Sequence, residues 1–363
     1  MAAEPQKLKI RKSLLLPVVI IVLVKLFSLN QYLVEQMYSN GVFYVIGTIL
    51  RKLTGWIPFS IGDIFYCLAG IWILLKCIKV AQLIYRKEFQ RKTLVFALRK
   101  IWVIAMWIYV MFNMIWGLNY NRKGIAYQLH FSSAKYDSSD LKKMVVLLIR
   151  KVNANKNALI KNGILYPGEK DLFERARKCY ELANKTYPFL FYNPLSVKSS
   201  LYSEWGNYLG FTGYYNPFSG EAQVNTTVPK FILPYTTCHE MAHQIGYAKE
   251  DEANFVGYLA ATSSHDTLFL YSTYLDLLLY ANRELAVRDP FFAYASMQEL
   301  STDVKTDLTE YRNFLKRYKS FVEPAISWAY SRYLKANQQP HGMRTYSEVV
   351  GNLIEYFKKF GRI

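Results

Sequence analysis

The hydrophobic pattern changes character about a third of the way along the chain. Before that point three runs are apolar nearly throughout: Leu14 to Leu29, Ile61 to Val80 and Ile101 to Leu118. Each approaches the ~20 residues that a helix needs to cross the hydrocarbon core of a bilayer. Between the first two, Tyr32 to Leu53 carries apolar residues at helical spacing and ends at Gly55, ahead of Trp56-Ile57-Pro58. That pattern predicts a helix lying along the membrane surface. Trp116, Tyr120 and Tyr127 then form an aromatic exit from the third run.

Beyond it, apolar positions recur at i, i+3 and i+4 in segments bounded by caps and breakers. Ser138-Ser139-Asp140 opens a helix that stops at Gly163, and another runs from Glu169 to Thr186 before Pro188. Further helices are expected over about Glu250–Ser264, Thr267–Arg288, Asp303–Lys319, Val322–Asn337 and Tyr346–Phe360. One stretch breaks the helical rule. LYSEWGNYLGFTGYYNPFSGEAQVNTTV, from Leu201, is rich in aromatics, Gly and Asn, and Asn216-Pro217-Phe218-Ser219-Gly220 reads as the turn of a β-hairpin. The expected fold class is α+β, mainly α: three N-terminal transmembrane helices (about 14–29, 61–80 and 101–118, within a membrane domain 1–122), then a mostly helical soluble domain with a small sheet over 123–363.

Charge refines this picture. Lys and Arg number 45 against 27 Asp and Glu, a formal net charge of +18, which raises nucleic acid as a partner. The distribution argues otherwise. Arg86, Lys87, Arg91, Lys92, Arg99 and Lys100 crowd the segment between the second and third runs, against Glu88, whereas 30–60 has only Arg51 and Lys52 against Glu35. By the positive-inside rule the N-terminus and that segment are cytoplasmic, and everything after Leu118 is extracytoplasmic. The first run follows Lys7, Lys9, Arg11 and Lys12 but lacks a small-residue cleavage site, so it reads as a retained anchor in a multi-pass protein of the cell membrane. Lys25, Lys76 and Lys79 can snorkel to the headgroups. Four cysteines are too few for a disulfide framework; whether Cys179 and Cys238 pair is open.

Candidate chemistry is concentrated in CHEMAHQIGYAKEDEANF, residues 238–255, where Pro234 opens a helix and Gly246 ends it. His239 and His243 stand at i and i+4, so both imidazoles project from nearly one face, the spacing one metal ion bridges. Zinc is the usual occupant of such an imidazole pair. Glu240 sits beside the open coordination position, where a carboxylate can take a proton from water. Cys238 points about 100° away and is no ligand. An HExxHxxGxxH pattern would put the third ligand at Lys249, an ammonium that repels a cation. A glutamate from the following helix is the other solution. Glu252 is chosen, because it shares the i, i+3, i+4, i+7 face of Phe255, Val256 and Leu259. Glu250 and Asp251 are the alternatives, read as solvent-facing charges at the helix N-terminus.

These residues, together with PFSIGD at Pro58, WGLNYNR at Trp116, TGYYNPFSGEAQVN at Thr212 and YLKANQQ at Tyr333, resemble a bacterial family of multi-pass membrane proteins, domain of unknown function 3810. The likeness covers nearly the whole chain. It implies three membrane helices joined to a zincin-like, gluzincin-type HExxH domain, and the EAN triplet at Glu252 is similar to the glutamate-bearing helix of other gluzincins. It also implies that the hairpin over Thr212–Asn225 supplies a strand beside the active helix, where an extended substrate could pair with it; the alternative is a purely structural hairpin.

The expected function is that of a membrane-anchored zinc metallopeptidase acting on peptide or protein, with Zn²⁺ on His239, His243 and Glu252 and with Glu240 as general base. The alternative is a non-hydrolytic membrane-associated binding or regulatory protein with a structural zinc. Tyr214, Tyr215, Tyr271 and His265 are candidate oxyanion donors; His130 and His341 are ordinary surface histidines.

Overall fold

The computed structural model describes residues 4–87, 90–131, 136–339 and 346–363; His341 lies outside them. Helix α1 (Glu4–Ser28) packs along α4 (Arg91–Ile115), and between them in sequence come α2 (Phe43–Thr54) and α3 (Ile61–Tyr85). Helices Ile61–Tyr85 and Leu94–Ile115 are long and apolar enough to cross a membrane. In α3 only Gly62 and Asp63 are buried, while Leu68, Ile73 and Leu75 stand more than half exposed. A helix apolar on all faces and left uncovered by its own chain matches a lipid environment. The third run ends at Ile115, followed by a tight 3₁₀ turn over Gly117–Asn121, and does not continue to Leu118 as a helix.

The first run differs more from expectation. Leu14–Ser28 passes the same test only when taken together with Gln31–Thr54, to which it is bent by 94°. This second limb is an arm: one turn at Gln31–Leu33, a π-helix over Val34–Val42, then α2. One face of the arm is half in water or lipid, with Met37, Val45, Ile49 and Leu53 exposed. Its other face is polar and buried, carrying Glu35, Ser39, Arg51 and Thr54. Those groups need partners, since an unpaired buried polar group costs about 1–3 kcal/mol, and they find them across the chain.

The remaining helices form one apolar core. α5 (Ser138–Lys161) is opened by Asp137 and Asp140, which cap each other's backbone. It packs chiefly on α9 (Thr267–Arg288); α6 (Glu169–Thr186), α8 (Glu250–Ser263) and α9 surround α7 (Leu233–Gln244), which is buried along almost its whole length, and α13 (Tyr346–Phe360) lies on α8 and α9. α10 (Pro290–Gln298) and α11 (Thr302–Arg317) pack outside, and α12 (Glu323–Ala336) is mostly exposed. α10 was not expected from the sequence.

A three-stranded sheet in the order β1-β3-β2 completes the fold: β1 (Val197–Ser199), β2 (Gly213–Asn216) and β3 (Glu221–Val224). The expected hairpin is present, with Gly213 opposite Val224 and Asn216 opposite Glu221. β1, parallel to β3, adds a strand that three residues cannot announce by alternation. β2 is left as an edge.

Two junctions tie the N-terminal helices to this core. The Glu221 carboxylate accepts the Ile61 and Gly62 N–H groups at 3.2 and 2.6 Å, an anion held at the N-terminus of α3. Asp63 accepts the Leu201 N–H at 2.7 Å and the Tyr214 hydroxyl. PFSIGD therefore meets GEAQV. The arm makes the other junction. Arg122 holds Glu35 with two hydrogen bonds of 3.0 and 2.7 Å, and also donates to the Gly246 carbonyl at 3.0 Å. Arg51 donates to the Gln244 carbonyl at 2.6 Å. The C-terminal end of the HExxH segment is thus held at Gln244 by the arm's Arg51 and at Gly246 by Arg122, the partner of the arm's Glu35.

Candidate metal centre

α7 begins at Leu233 with Pro234 in its first turn and stops at Gln244, and two residues on Gly246 turns the chain with φ +92°. A side chain there would also strike Phe43 of α2, at 2.9 Å from its ring. The chain then reaches Lys249, whose extended backbone starts α8 at Glu250. This short return brings the first residue of α8 back over the histidine face of α7.

Glu250 is the acid that reaches both rings. Its Oε2 lies 3.3 Å from His239 Nε2 and its Oε1 3.9 Å from His243 Nε2. Glu252, expected to be the third ligand, lies elsewhere: its Oε1 is 3.4 Å from Lys249 Nζ and over the backbone of Gly124. The physical reason is that α8 is buried on every side from Asp251 to Ala261. A helix with no solvent face gives the i, i+3, i+4, i+7 rule nothing to discriminate. Glu250, assigned to solvent, is only 13% exposed at its side chain.

Electrostatics at the cluster follow from its burial. Burial alone would depress His239, but the hydrogen bond it donates to Glu250 and the charges of Glu240, Glu250 and Asp276 push it up to about 9. Burial takes His243 the other way, to about 4, despite the Glu250 charge. Glu240 is raised to about 8 by burial, with His239 partly offsetting. Glu250 is held at about 2, against its own burial, by hydrogen bonding to His239 and the charges of both histidines. The neighbouring Asp276 is raised to about 6 by burial. Buried acids around two imidazoles make a place where positive charge is needed.

The donor set fits a zinc ion. Ligands at 2.0–2.1 Å in a tetrahedral array stand about 3.3–3.4 Å from one another; the His239–Glu250 spacing of 3.3 Å matches this and the His243–Glu250 spacing of 3.9 Å is about half an ångström wider. His243 Nδ1 is 2.7 Å from the Tyr247 carbonyl. A carbonyl can only accept, so this nitrogen carries the proton and Nε2 presents its lone pair toward Glu250. Ligand atoms of His239, Glu240 and His243 lie within 4.8 Å of one another. Glu240 Oε2 is buried with no hydrogen-bond partner. Cys238 points into the core beside Cys179; both thiols are buried and free, and burial pushes the Cys238 thiol up.

The cluster opens into a cavity of about 410 Å³ walled by Thr212, Gly213, Tyr214 and Tyr215 on one side and by Tyr330 and Tyr333 of α12 on the other. β2 runs along the wall as an edge strand. A Cβ on Gly213 would lie 2.5 Å from Glu240 Oε1, so the strand passes directly over that carboxylate. Of the oxyanion candidates, Tyr214 and Tyr215 line the cavity. Tyr271 instead donates to Asp307 at 2.5 Å deep in the core, and His265 is exposed after α8. Tyr330, which sequence reasoning passed over, donates to Glu250 Oε1 at 2.6 Å. Eighty positions separate the pair, and no spacing rule reaches that far. His130 is exposed, as expected.

No curated protein and no solved structure matches the chain. A family described as "Protein of unknown function (DUF3810)" matches residues 38–354. That span takes in α3, α4, the sheet, the histidine helix and α12, and most of the arm. By that coverage the chain belongs to the DUF3810 family of proteins of unknown function.

Proposed function

We propose that the protein is a membrane-anchored, zinc-dependent peptidase whose zincin-like domain lies outside the cytoplasm. The observation that carries this reading is the convergence of His239, His243 and Glu250 beside Glu240, in a cavity bordered by an edge strand. A structural zinc would be closed by a fourth protein ligand; here the fourth side faces the cavity. The membrane assignment rests on the uncovered apolar helices α3 and α4, and the sidedness on basic residues such as Arg86, Lys87 and Lys92 at the end remote from the cluster.

Bound zinc would supply Lewis-acid polarisation of the scissile carbonyl and acidify water. The chain's own residues do the rest. Glu240, which faces the cavity beside the imidazoles, takes a proton from the attacking water and returns it to the leaving amine. β2 offers its free backbone groups to an extended substrate. Tyr330 fixes the Glu250 carboxylate.

Two outcomes follow. In membranes carrying Glu240→Gln, peptide termini generated by the wild type should be absent, a fall in turnover of about 10²–10⁴-fold. Quantifying new termini in the two membrane proteomes checks this, and identical sets of termini would refute the assigned base. Gly213→Ala should push the Glu240 carboxylate aside while zinc stays bound, lowering turnover about 10²-fold. Turnover measured alongside metal content separates this from simple metal loss.

A further inference from the structure

We infer that the substrate is the juxtamembrane stretch of a polypeptide anchored in the same bilayer, rather than a freely diffusing peptide. This rests on the peptidase reading above and adds the class of substrate. The cavity that holds His239, Glu240 and Glu250 is also walled by Tyr66 of α3 and Phe112 of α4. Tyr66 stands five residues into the first apolar helix, about 7.5 Å along its axis, and Phe112 stands three residues, about 4.5 Å, before the end of the second. Apolar helices thus form part of the floor, at a depth comparable with the headgroup layer, about 5–8 Å on each side.

The rim is built at the same level. The Leu201 N–H and the Tyr202 hydroxyl are hydrogen-bonded to Asp63 in the first turn of α3, at 2.7 and 2.8 Å. They fix the short helix Ser203–Leu209, whose Trp205 is 71% exposed. Trp is the residue that favours the membrane interface. The same helix ends in Leu209, Gly210 and Phe211, which line the cavity. A continuous wall therefore leads from bilayer level to Glu240. On the far side, Tyr120 lines both this cavity and a second one of about 530 Å³ that lies against α1 and α4, among Ile21, Lys25 and Trp102. A chain leaving the lipid beside these helices reaches the edge strand without crossing bulk water. A water-soluble peptide has no need of such a floor.

The test uses the full-length protein reconstituted in phosphatidylcholine vesicles. Randomised fluorogenic peptides of about 8 residues are presented on a transmembrane anchor through a spacer of about 4 residues (~13 Å extended) or about 25 residues. Both are confined to the vesicle surface, so local concentration is matched. The short spacer should be cleaved at least tenfold faster, and only when Glu240 is intact. Equal rates, or faster cleavage with the long spacer, would overturn the inference while leaving a peptidase. No Glu240-dependent cleavage of either would sink the peptidase reading, and this inference with it. A readout independent of turnover is a fluorophore at Trp205→Cys, with the exposed Cys67 and Cys77 replaced by Ser. Nitroxide-labelled lipid should quench it more than aqueous iodide does, and the reverse order would overturn the placement of the rim.

Discussion

Glu250→Gln is expected to lower zinc affinity by about 100-fold or more, whereas Glu252→Gln should leave it within about threefold. The two substitutions are chemically identical and two residues apart on α8, which makes them a matched pair. An amide in place of the Glu250 carboxylate removes the charge that faces both imidazoles at 3.3 and 3.9 Å. It also leaves Tyr330 without its charged acceptor. The same change at Glu252 alters the surroundings of Lys249 and Gly124, outside the imidazole pair. Competition with a chromophoric chelator measures both affinities. Loss of zinc on Glu252→Gln with retention on Glu250→Gln would reverse the ligand assignment.

The second large effect is on stability. Arg122→Met should destabilise the fold by about 3–5 kcal/mol, because it strands the Glu35 carboxylate. Arg122 and Glu35 side chains are only 3% and 2% exposed, so water cannot take over. Arg122 also stacks 4.5 Å over the Tyr247 ring and holds the Gly246 carbonyl. The loop that carries Glu250 back to the histidines would lose its clamp. Melting should fall by roughly 10 °C. The double replacement Arg122→Met with Glu35→Met should recover much of that loss, since removing both charges leaves no unpaired ion. Thermal unfolding of the three variants decides it. A double variant no better than Arg122→Met alone would show that the stacking and the Gly246 contact, not the ion pair, set the stability.

Local signals in the chain were reliable where the physics is local. The helix start at Ser138, the stop at Gly246, the hairpin turn and the i, i+4 histidines each depend on neighbours in sequence, and the structure has them in place, with Asp137 as the cap one residue before the expected Ser138-Ser139-Asp140. What was illegible depends on distant partners. The stretch Tyr32 to Leu53 within the arm shows an apolar face, which predicts a helix on the membrane surface. Its buried Glu35 and Arg51 are explained only by Arg122 and the Gln244 carbonyl, far along the chain. The position of Glu250 beside the imidazoles was illegible for a related reason. Facing is inferred from the contrast between wet and dry sides, and α8 has no wet side for most of its length. Tyr330 carried no local signal at all.

His239, His243 and Glu250 are expected to hold one zinc ion. X-ray absorption at the zinc edge of the purified full-length protein tests it most directly, read together with metal content. One zinc per chain is predicted, with two imidazoles and only oxygen or nitrogen neighbours near 2.0–2.1 Å. A sulfur neighbour near 2.3 Å, or a protein that takes up no zinc, would contradict the account.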